Sequence, residues 1–186
     1  MLWTSLKLGT VTVPTIRTDR LELVSMPSDF IEAVLAGERS TAELIAQFEL
    51  PAGWPDDRDR PVLRRRREQI IEDPDSQKWL LRAMVLRQHR RLVGHIGFHG
   101  PPRTVGRAEL GYSVMPEDRR QGYASEAARA MMAWAAREHG VSSFFVAISP
   151  DNQPSLALAA KLGFTRVGEQ IDDEDGLECV FELVLR

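Results

Sequence analysis

One segment of the chain, residues 109–126, constrains the fold and the ligand more than any other. Its first residues alternate as in a β-strand, a short turn follows, and the segment then enters an alanine-rich helix. The first turn of a helix presents unpaired N–H groups and the positive end of the helix dipole. Gly122 and Ala124 carry almost no side chain, and two arginines, Arg119 and Arg120, stand beside the turn. We therefore predict that this turn binds a pyrophosphate through its backbone.

Hydrophobic periodicity and turn residues divide the rest of the chain into short elements. The predicted strands are residues 21–23, 78–87, 92–98, 107–115, 144–149, 164–170 and 177–185, and the predicted helices begin at residue 28 and span 41–48, 60–72, 125–138 and 152–162. This order predicts a single α/β (α+β) domain over residues 1–186, with a mixed, mostly antiparallel sheet and flanking helices. Residues 1–17 are predicted as a strand-like arm or a flexible lead-in.

Two segments resemble motifs of the GNAT superfamily of acyl-CoA-dependent N-acetyltransferases. The turn Arg119-Arg-Gln-Gly-Tyr-Ala124 resembles motif A, whose pattern is Arg/Gln-x-x-Gly-x-Gly/Ala. Asn152-Gln-Pro-Ser155, followed by Ala159-Ala-Lys-Leu-Gly-Phe164, resembles motif B at the expected distance. The opening Thr18-Asp-Arg-Leu-Glu-Leu23 resembles the first strand of the ribosomal-protein N-terminal (alanine/serine) acetyltransferases. The resemblance extends from residue 18 to the C-terminus.

The resemblance implies a GNAT-type sheet of about seven strands. That sheet is splayed in the middle, between the strand that ends at Met115 and the strand that starts near Ser143. It also implies acetyl-CoA as co-substrate, with the pantetheine arm in the gap and the N–H near Val114 at the developing oxyanion. The implied cofactor-binding residues are Ser113, Val114, Met115, Arg119, Arg120, Gln121, Gly122, Tyr123, Ala124, Ser125 and Asn152.

Two carboxylates are candidates for the general base that deprotonates an amine. The resemblance implies this role for Glu109, on the strand beside the splay; a solvated carboxylate, or one paired with Arg107 or His95, is the alternative. Glu174 is the second candidate, because the ribosomal subgroup places a base on the segment after motif B. It lies in the acidic run 172–175, which also suits a hairpin turn or the attraction of a cationic amine.

A hydroxyl and an amide open the second motif. The resemblance places Ser155 near the cofactor sulfur, where it donates a hydrogen bond to the thiolate; bonding to helix backbone is the alternative. Asn152 contacts the cofactor or caps the helix. Many GNAT enzymes carry a tyrosine acid where this chain has Ala159, so the usual general acid is missing. The tyrosines of the chain are Tyr112 and Tyr123.

Composition argues against several classes of protein. The net charge of -3, from 24 basic and 27 acidic residues, is not that of a nucleic-acid binder. No apolar run approaches a membrane span or a signal-peptide core, so a cytoplasmic location is predicted. The single cysteine, Cys179, is interpreted as core. The arginines at 64–67 are interpreted as a solvated helix face, and His95 and His99 lack further ligands, so no metal is predicted.

The sequence therefore predicts an N-acetyltransferase that acts on a primary amine by direct attack in a ternary complex. The acceptor stays open between a protein N-terminus and a small-molecule amine, with neither nucleic acid nor membrane as partner. Two alternatives remain: a non-catalytic acyl-CoA-binding regulatory module, and an interaction protein that uses residues 64–67. Oligomeric state is open as well, with a homodimer as the arrangement common in the family.

Overall fold

The computed structural model describes residues 12–102, 106–173 and 176–185, which form five helices and one sheet of eight strands. The strands are β1 (Ile16–Arg17), β2 (Leu21–Ser25), β3 (Arg82–Leu86), β4 (Arg91–Phe98), β5 (Arg107–Val114), β6 (Ser143–Ile148), β7 (Thr165–Asp172) and β8 (Gly176–Val184). The helices are α1 (Ser28–Ala36), α2 (Arg39–Ala46), α3 (Asp59–Glu72), α4 (Tyr123–His139) and α5 (Gln153–Leu162), with 3₁₀ turns at Pro74–Lys78 and Pro116–Asp118.

The sheet is open and is divided in the middle. Its strands lie in the order β1-β2-β3-β4-β5-β6-β8-β7. Every neighbouring pair is antiparallel except β5 and β6, which run parallel. These two strands pair only over residues 107–109 and 143–145 and then diverge. The predicted mixed, mostly antiparallel, splayed sheet is therefore confirmed.

Two details of the sheet differ from the prediction. The additional strand is β1, which lies in the segment predicted as an arm and pairs Ile16 with Leu23. The earlier part of that arm, residues 1–11, lies outside the described residues. Strand β3 begins at Arg82 and not at residue 78, because Pro74–Lys78 winds as a 3₁₀ turn and takes up the first residues of the predicted strand.

Helix α4 packs on one face of the sheet through small and flexible side chains. Ala127 and Met131, one helical turn apart, are fully buried in the larger core cluster. Phe98 and Trp134 stack there with ring centroids 6.4 Å apart. Gly140 ends the helix with φ 66°, in the left-handed capping position that the sequence predicts. This packing fixes the N-terminus of α4 beside the end of β5.

Helices α1, α2 and α3 build a second core with the other face of β2–β4. Phe30 of α1 is fully buried and meets Phe48 edge-to-face with centroids 5.8 Å apart. Leu63 and Ile70 of α3 are buried in the same cluster. The apolar side of α3 is thereby buried, and its polar side is brought against β4.

Candidate functional site

The turn before α4 presents free backbone donors. Arg120 and Gly122 have φ of 62° and 84°, the left-handed region that glycine adopts most readily. Within the described part of the chain, the N–H groups of residues 122–125 meet no protein acceptor. The first helical bond runs from the N–H of Glu126 to the carbonyl of Gly122 at 3.1 Å. Four donors at the positive end of a 17-residue helix form a site for an anion.

The segment before β2 holds this turn in place. Thr18 Oγ1 at 2.6 Å and Arg20 Nε at 2.7 Å both donate to the carboxylate of Glu126. Arg20 Nη1 donates to the carbonyl of Gln121 at 2.9 Å, and its guanidinium lies 4.8 Å from the centroid of the Tyr123 ring. Burial raises the pKa of Glu126, but these hydrogen bonds outweigh burial and hold the pKa below its ordinary value. Thr18 and Arg20 therefore position the turn.

Two further contacts fix the chain between β5 and the turn. The guanidinium of Arg91 forms a paired hydrogen bond with the carboxylate of Asp118, at 2.8 and 2.7 Å. Arg119 Nε donates to the carbonyl of Val114 at 3.1 Å. The end of β5 and the start of α4 are thus tied to one another and to β4.

A cleft of about 1340 Å³ runs from the N-terminus of α4 past the end of β5 to α5. This volume exceeds the roughly 300–1,000 Å³ of most small-molecule sites, as an extended ligand requires. Of the predicted residues, its lining includes Ser113, Val114, Arg119, Arg120, Gln121, Gly122, Tyr123, Ala124, Ser125, Asn152 and Ser155.

Met115 lies apart from the cleft lining at the end of the strand. Its side chain is buried in the core beneath α1–α3, and its N–H donates to the carbonyl of Val93 at 2.9 Å. The predicted contact between Met115 and the cofactor stays a prediction, but the N–H of Met115 is already bonded within the sheet and its side chain does not face the cleft. Because main-chain groups alternate between the two edges of a strand, Ser113 shares the β4 edge with Met115. Tyr112 and Val114 turn their main-chain groups toward the gap.

One face of α5 forms the opposite wall of the cleft. Asn152 Oδ1 accepts the N–H of Ser155 at 3.2 Å, so the capping interpretation of Asn152 is confirmed. Pro154, Leu158 and Lys161 also line the cleft, and the sequence analysis did not single them out. Their spacing of three to four residues along a helix that begins at Asn152 is the signal that could have found them.

A tyrosine from the neighbouring strand lies beside Ser155. Tyr112 and Ser155 both line the cleft, and the Ser155 hydroxyl lies near enough to the phenol to affect the pKa of Tyr112. Burial raises the pKa of Tyr112, and the nearby Ser155 hydroxyl offsets only part of that effect. The sequence analysis found no tyrosine for the position held by Ala159. The structure brings one from β5 to the first turn of α5, a juxtaposition that linear spacing does not reveal.

A second pocket, of about 320 Å³, lies on the α3 side of the same strands. Residues from α3, β4 and β5 line it. It shares Arg58, Tyr112 and Ser113 with the cleft, so the two spaces meet at the splay.

Glu109 reaches this pocket through a histidine. Its Oε1 lies 3.2 Å from Nδ1 of His99, and not beside Arg107 or His95, which pair with other carboxylates. His99 is part of the pocket lining, and its Nε2 lies only 2.6 Å from where a Cβ on Gly111 would stand. The missing side chain of Gly111 is therefore what admits the His99 ring.

Other predicted site residues lie apart from this arrangement. Glu174 falls outside the described residues, so its candidate role as base stays a prediction. In the described part of the chain, no group of three or more His, Cys, Asp or Glu side chains is placed to hold a metal ion. Over the same residues, no helix is both long and apolar enough to cross a bilayer.

The arginine run on α3 is only partly solvated. Arg66 is 5% exposed, and its Nη1 donates to Gln69 Oε1 at 2.7 Å and to the carbonyl of His99 at 3.1 Å. The predicted solvated face is therefore wrong for Arg66, because α3 turns this residue toward β4. Cys179 is buried, as its interpretation as core requires.

The family assignment follows from comparison with known proteins. The family model described as acetyltransferase (GNAT) domain matches residues 20–165, well over half of the chain. The chain belongs to the GNAT acetyltransferase family.

Two Bacillus subtilis proteins are among its relatives. The uncharacterized N-acetyltransferase YjdG is 26% identical over 80% of this chain and 88% of its own length. The uncharacterized N-acetyltransferase YoaA is 35% identical over 44% of this chain, and the match spans only 46% of YoaA.

Solved structures share the fold at lower identity. The ribosomal-protein-S5-alanine acetyltransferase from Vibrio fischeri superposes with a TM-score of 0.65 and 15% identity, over 92% of this chain and 96% of its own. The microcin C7 self-immunity acetyltransferase MccE, in complex with acetyl-CoA and AMP, gives 0.64 and 16% over 90% and 94%.

Proposed function

We propose that the protein is an acetyl-CoA-dependent N-acetyltransferase in which a primary amine attacks the thioester directly within a ternary complex. The observation that carries the proposal is the meeting of two spaces at the splay. The large cleft has free amide donors at one end, and the smaller pocket opens beside its other end. Two substrates placed in these spaces meet without a covalent enzyme intermediate.

The cleft accounts for each part of the cofactor. The N–H groups of residues 122–125 bind the diphosphate, and Arg120 adds positive charge beside it. The pantetheine arm lies in the gap and pairs with the main-chain edge at Tyr112 and Val114. Asn152 caps α5 through its oxygen, which leaves its amide nitrogen to donate to that arm.

The Glu109–His99 pair removes the proton from the attacking amine. The amine transfers its proton to Nε2 of His99, while the Glu109 carboxylate accepts a hydrogen bond from Nδ1 and stabilises the imidazolium. Glu109 therefore acts through the histidine, which is the ring that lines the pocket. In this proposal Glu109, the carboxylate considered as the base from the sequence, keeps a role in catalysis as the hydrogen-bond partner of His99.

Two hydrogen-bond donors stabilise the two atoms that become negative, which are the carbonyl oxygen and the sulfur of the thioester. The N–H of Val114 faces the gap and donates to the developing oxyanion. The raised pKa of Tyr112 keeps its phenol protonated, so Tyr112, supported by Ser155, donates to the departing thiolate. Because a thiol has an ordinary pKa of about 8.5, this donation assists departure and is not indispensable.

The proposal includes the setting of the enzyme. The chain acts as a single domain in the cytoplasm, as a monomer or a homodimer, on a protein N-terminus or a small-molecule amine. The splayed fold shared with a ribosomal-protein-S5-alanine acetyltransferase supports the first acceptor class, and the small volume of the pocket supports the second.

Calorimetry and thiol release together test the proposal. Titration of the protein with acetyl-CoA should show saturable binding, and addition of primary amines should release free CoA thiol at a rate that saturates with each substrate. Absence of acetyl-CoA binding would sink the proposal. Tight binding without transfer to any amine of a broad panel would instead favour the non-catalytic acyl-CoA-binding module.

A further inference from the structure

The second pocket has a wall rich in positive charge. Arg58, Arg65 and Arg66 line it, together with His95 of β4 and His99, which directly follows β4. Among the described residues, Asp59 is the only carboxylate in that lining. A pocket meant for a polyamine or another simple cation would show the opposite balance. The positive charge of this wall therefore favours an acceptor that carries a negatively charged group.

Arg66 is the residue of this wall that calls for an explanation. It is 5% exposed, and its Nη1 donates to the neutral oxygens of Gln69 and His99, whereas its Nε has no hydrogen-bond partner among residues 12–102, 106–173 and 176–185. Within the described chain, no carboxylate lies within ion-pair distance of its guanidinium. Burial lowers the pKa of Arg66 to about 10, with a smaller contribution from Arg65 and an opposing one from the charge of Glu109, so the side chain is still cationic at neutral pH. A buried cation that no carboxylate contacts directly is costly unless a ligand supplies that contact.

The nearby carboxylates have other partners. Asp59 Oδ1 lies 3.0 Å from Nε2 of His95, and both side chains are buried. Glu109 lies 3.2 Å from His99. Burial raises the pKa of Asp59, but hydrogen bonds and the charge of His95 outweigh burial, so this carboxylate is held to the histidine. The wall at Arg66 is left with an unused N–H donor and with a positive charge that Glu109 offsets only from a distance, because among the described residues no carboxylate pairs with it directly.

We infer that the acceptor is a small primary amine that also carries a carboxylate or phosphate group, and that this anionic group binds at Arg66 with Arg58 at the mouth of the pocket. The inference rests on the proposed function, because it assumes that the amine end meets acetyl-CoA at Tyr112 and Ser113. The pocket volume of about 320 Å³ lies at the small end of the roughly 300–1,000 Å³ range of ligand sites. A guanidinium binds carboxylate and phosphate with the same pair of N–H donors, so both groups satisfy the site.

Nuclear magnetic resonance of the arginine Nε–H groups tests the anion site directly. The protein, saturated with acetyl-CoA, is titrated separately with acetate and with inorganic phosphate. The Arg66 Nε–H signal, identified by its loss in Arg66→Lys, should move downfield and saturate with at least one of the two anions. Arg58→Gln should weaken that titration several-fold without unfolding the protein, because Arg58 is exposed. An Arg66 signal that neither anion moves overturns the inference.

Matched acceptors then separate carboxylate from phosphate. Aminoalkyl carboxylates and aminoalkyl phosphates of increasing chain length are compared with the corresponding amides and alcohols by CoA thiol release. We expect kcat/KM at least about tenfold higher for one anionic series, since a lost charge-assisted hydrogen bond costs about 1.5–3 kcal/mol. Arg58→Gln should reduce this preference, whereas Arg64→Gln, on the exposed side of the same helix, should retain it.

The outcomes distinguish this inference from the proposed function. Equal kcat/KM for anionic and neutral amines overturns the anionic acceptor and leaves the transferase in place. Failure of acetyl-CoA to bind in calorimetry overturns the transferase, whatever the Arg66 signal does.

Discussion

The cofactor cleft and the acceptor pocket are built in different ways, although they meet at the same strand. The phosphate end of the cleft consists of main-chain N–H groups from consecutive residues, 122–125, at the start of one helix. The pocket consists of side chains from α3, β4 and β5, and its contacts between α3 and the β4 region join residues 33 and 36 positions apart in the chain. The first is a local motif, and the second exists only after packing.

The two proposed substrates are therefore bound by different kinds of group, main-chain N–H groups for one and side chains for the other. A backbone-built site tolerates side-chain change as long as the turn keeps its conformation. A side-chain-built pocket changes its ligand with one or two substitutions on α3 or β4. The architecture therefore allows the acceptor to diverge while the cofactor stays the same. The predictions below test each half by itself, in order of decreasing effect.

The largest effect is expected in the cleft, from Gly122→Asp. The variant places a carboxylate beside the diphosphate and disfavours the φ of 84° that aligns the N–H donors, which should weaken the Kd for acetyl-CoA measured by calorimetry by about a hundredfold. Among the described residues, a Cβ there meets Arg20 Nη2 at 3.5 Å, so the substitution adds backbone strain but no steric clash. Gly140→Asp, at φ 66° on the other end of the helix, is the matched control and should leave the Kd unchanged. Equal losses in both variants would place the effect in helix stability.

The next effect belongs to the pocket. His99→Gln should lower kcat by about a hundredfold, the scale of a lost general base, with the Kd for acetyl-CoA unchanged. Glu109→Gln should lower kcat by about tenfold and leave KM for the amine alone, because Glu109 positions and stabilises the histidine. His89→Gln, exposed in the β3–β4 turn, is the control. A larger loss for Glu109→Gln than for His99→Gln would make the carboxylate itself the base.

A smaller effect is expected from substitution of Tyr112, which lines both the cleft and the second pocket. Tyr112→Phe removes one hydrogen bond to the thiolate, worth about 0.5–1.5 kcal/mol, and should lower kcat by about tenfold. Ser155→Ala, which leaves the phenol in place, should have a weaker effect on the same steady-state rate. The control is the Kd for acetyl-CoA, which should stay unchanged in both. An unaltered kcat in Tyr112→Phe would show that the thiolate departs without this donor.

The smallest effect concerns stability beneath the cleft. Glu126→Gln replaces the carboxylate that accepts hydrogen bonds from Thr18 and Arg20 with a neutral amide. This change should lower the free energy of unfolding by about 1.5 kcal/mol at neutral pH. The lowered pKa of Glu126 means that its stabilisation is present above the unfolded-state pKa and is lost as pH falls through the folded-state pKa. The difference between variant and native protein in urea unfolding should therefore shrink on acidification.

Glu138→Gln is the control for this stability measurement. Glu138 lies on the same helix and pairs with Arg137 at 2.8 Å on the surface, so the change should stay within about 0.5 kcal/mol. A constant difference between Glu126→Gln and native protein at all pH values would contradict the linkage.

The same contrast explains what the sequence could predict. The cleft follows from Arg119–Ala124 and Asn152–Ser155, because a turn, a helix start and a cap are properties of neighbouring residues. The splay was predicted as well, as what the resemblance of these two segments to the GNAT motifs implies. Which main-chain groups of β5 bond to β4, as the N–H of Met115 does, could not be predicted, because it depends on register with β4, which the chain does not state locally.

The acceptor pocket could not be predicted in this way. Arg66 was interpreted as solvated because helical spacing alone does not say which face of a polar helix meets a strand. Glu109 lies near His99, and Tyr112 lies near Ser155, although neither separation along the chain follows the periodicity of a helix or a strand. Only the packing of α3 and α5 on the two faces of the sheet brings these groups together.

The bond between Arg20 and Glu126 has a consequence for how the phosphate site arises. The two residues lie 106 positions apart, so the turn is held by a contact that closes most of the domain. A peptide that contains the glycine turn and its helix lacks this brace and should not reproduce the site. The glycine turn should therefore form a phosphate site only in the folded protein. Binding of the nucleotide would show that the segment at Arg20 and the start of α4 have already packed together.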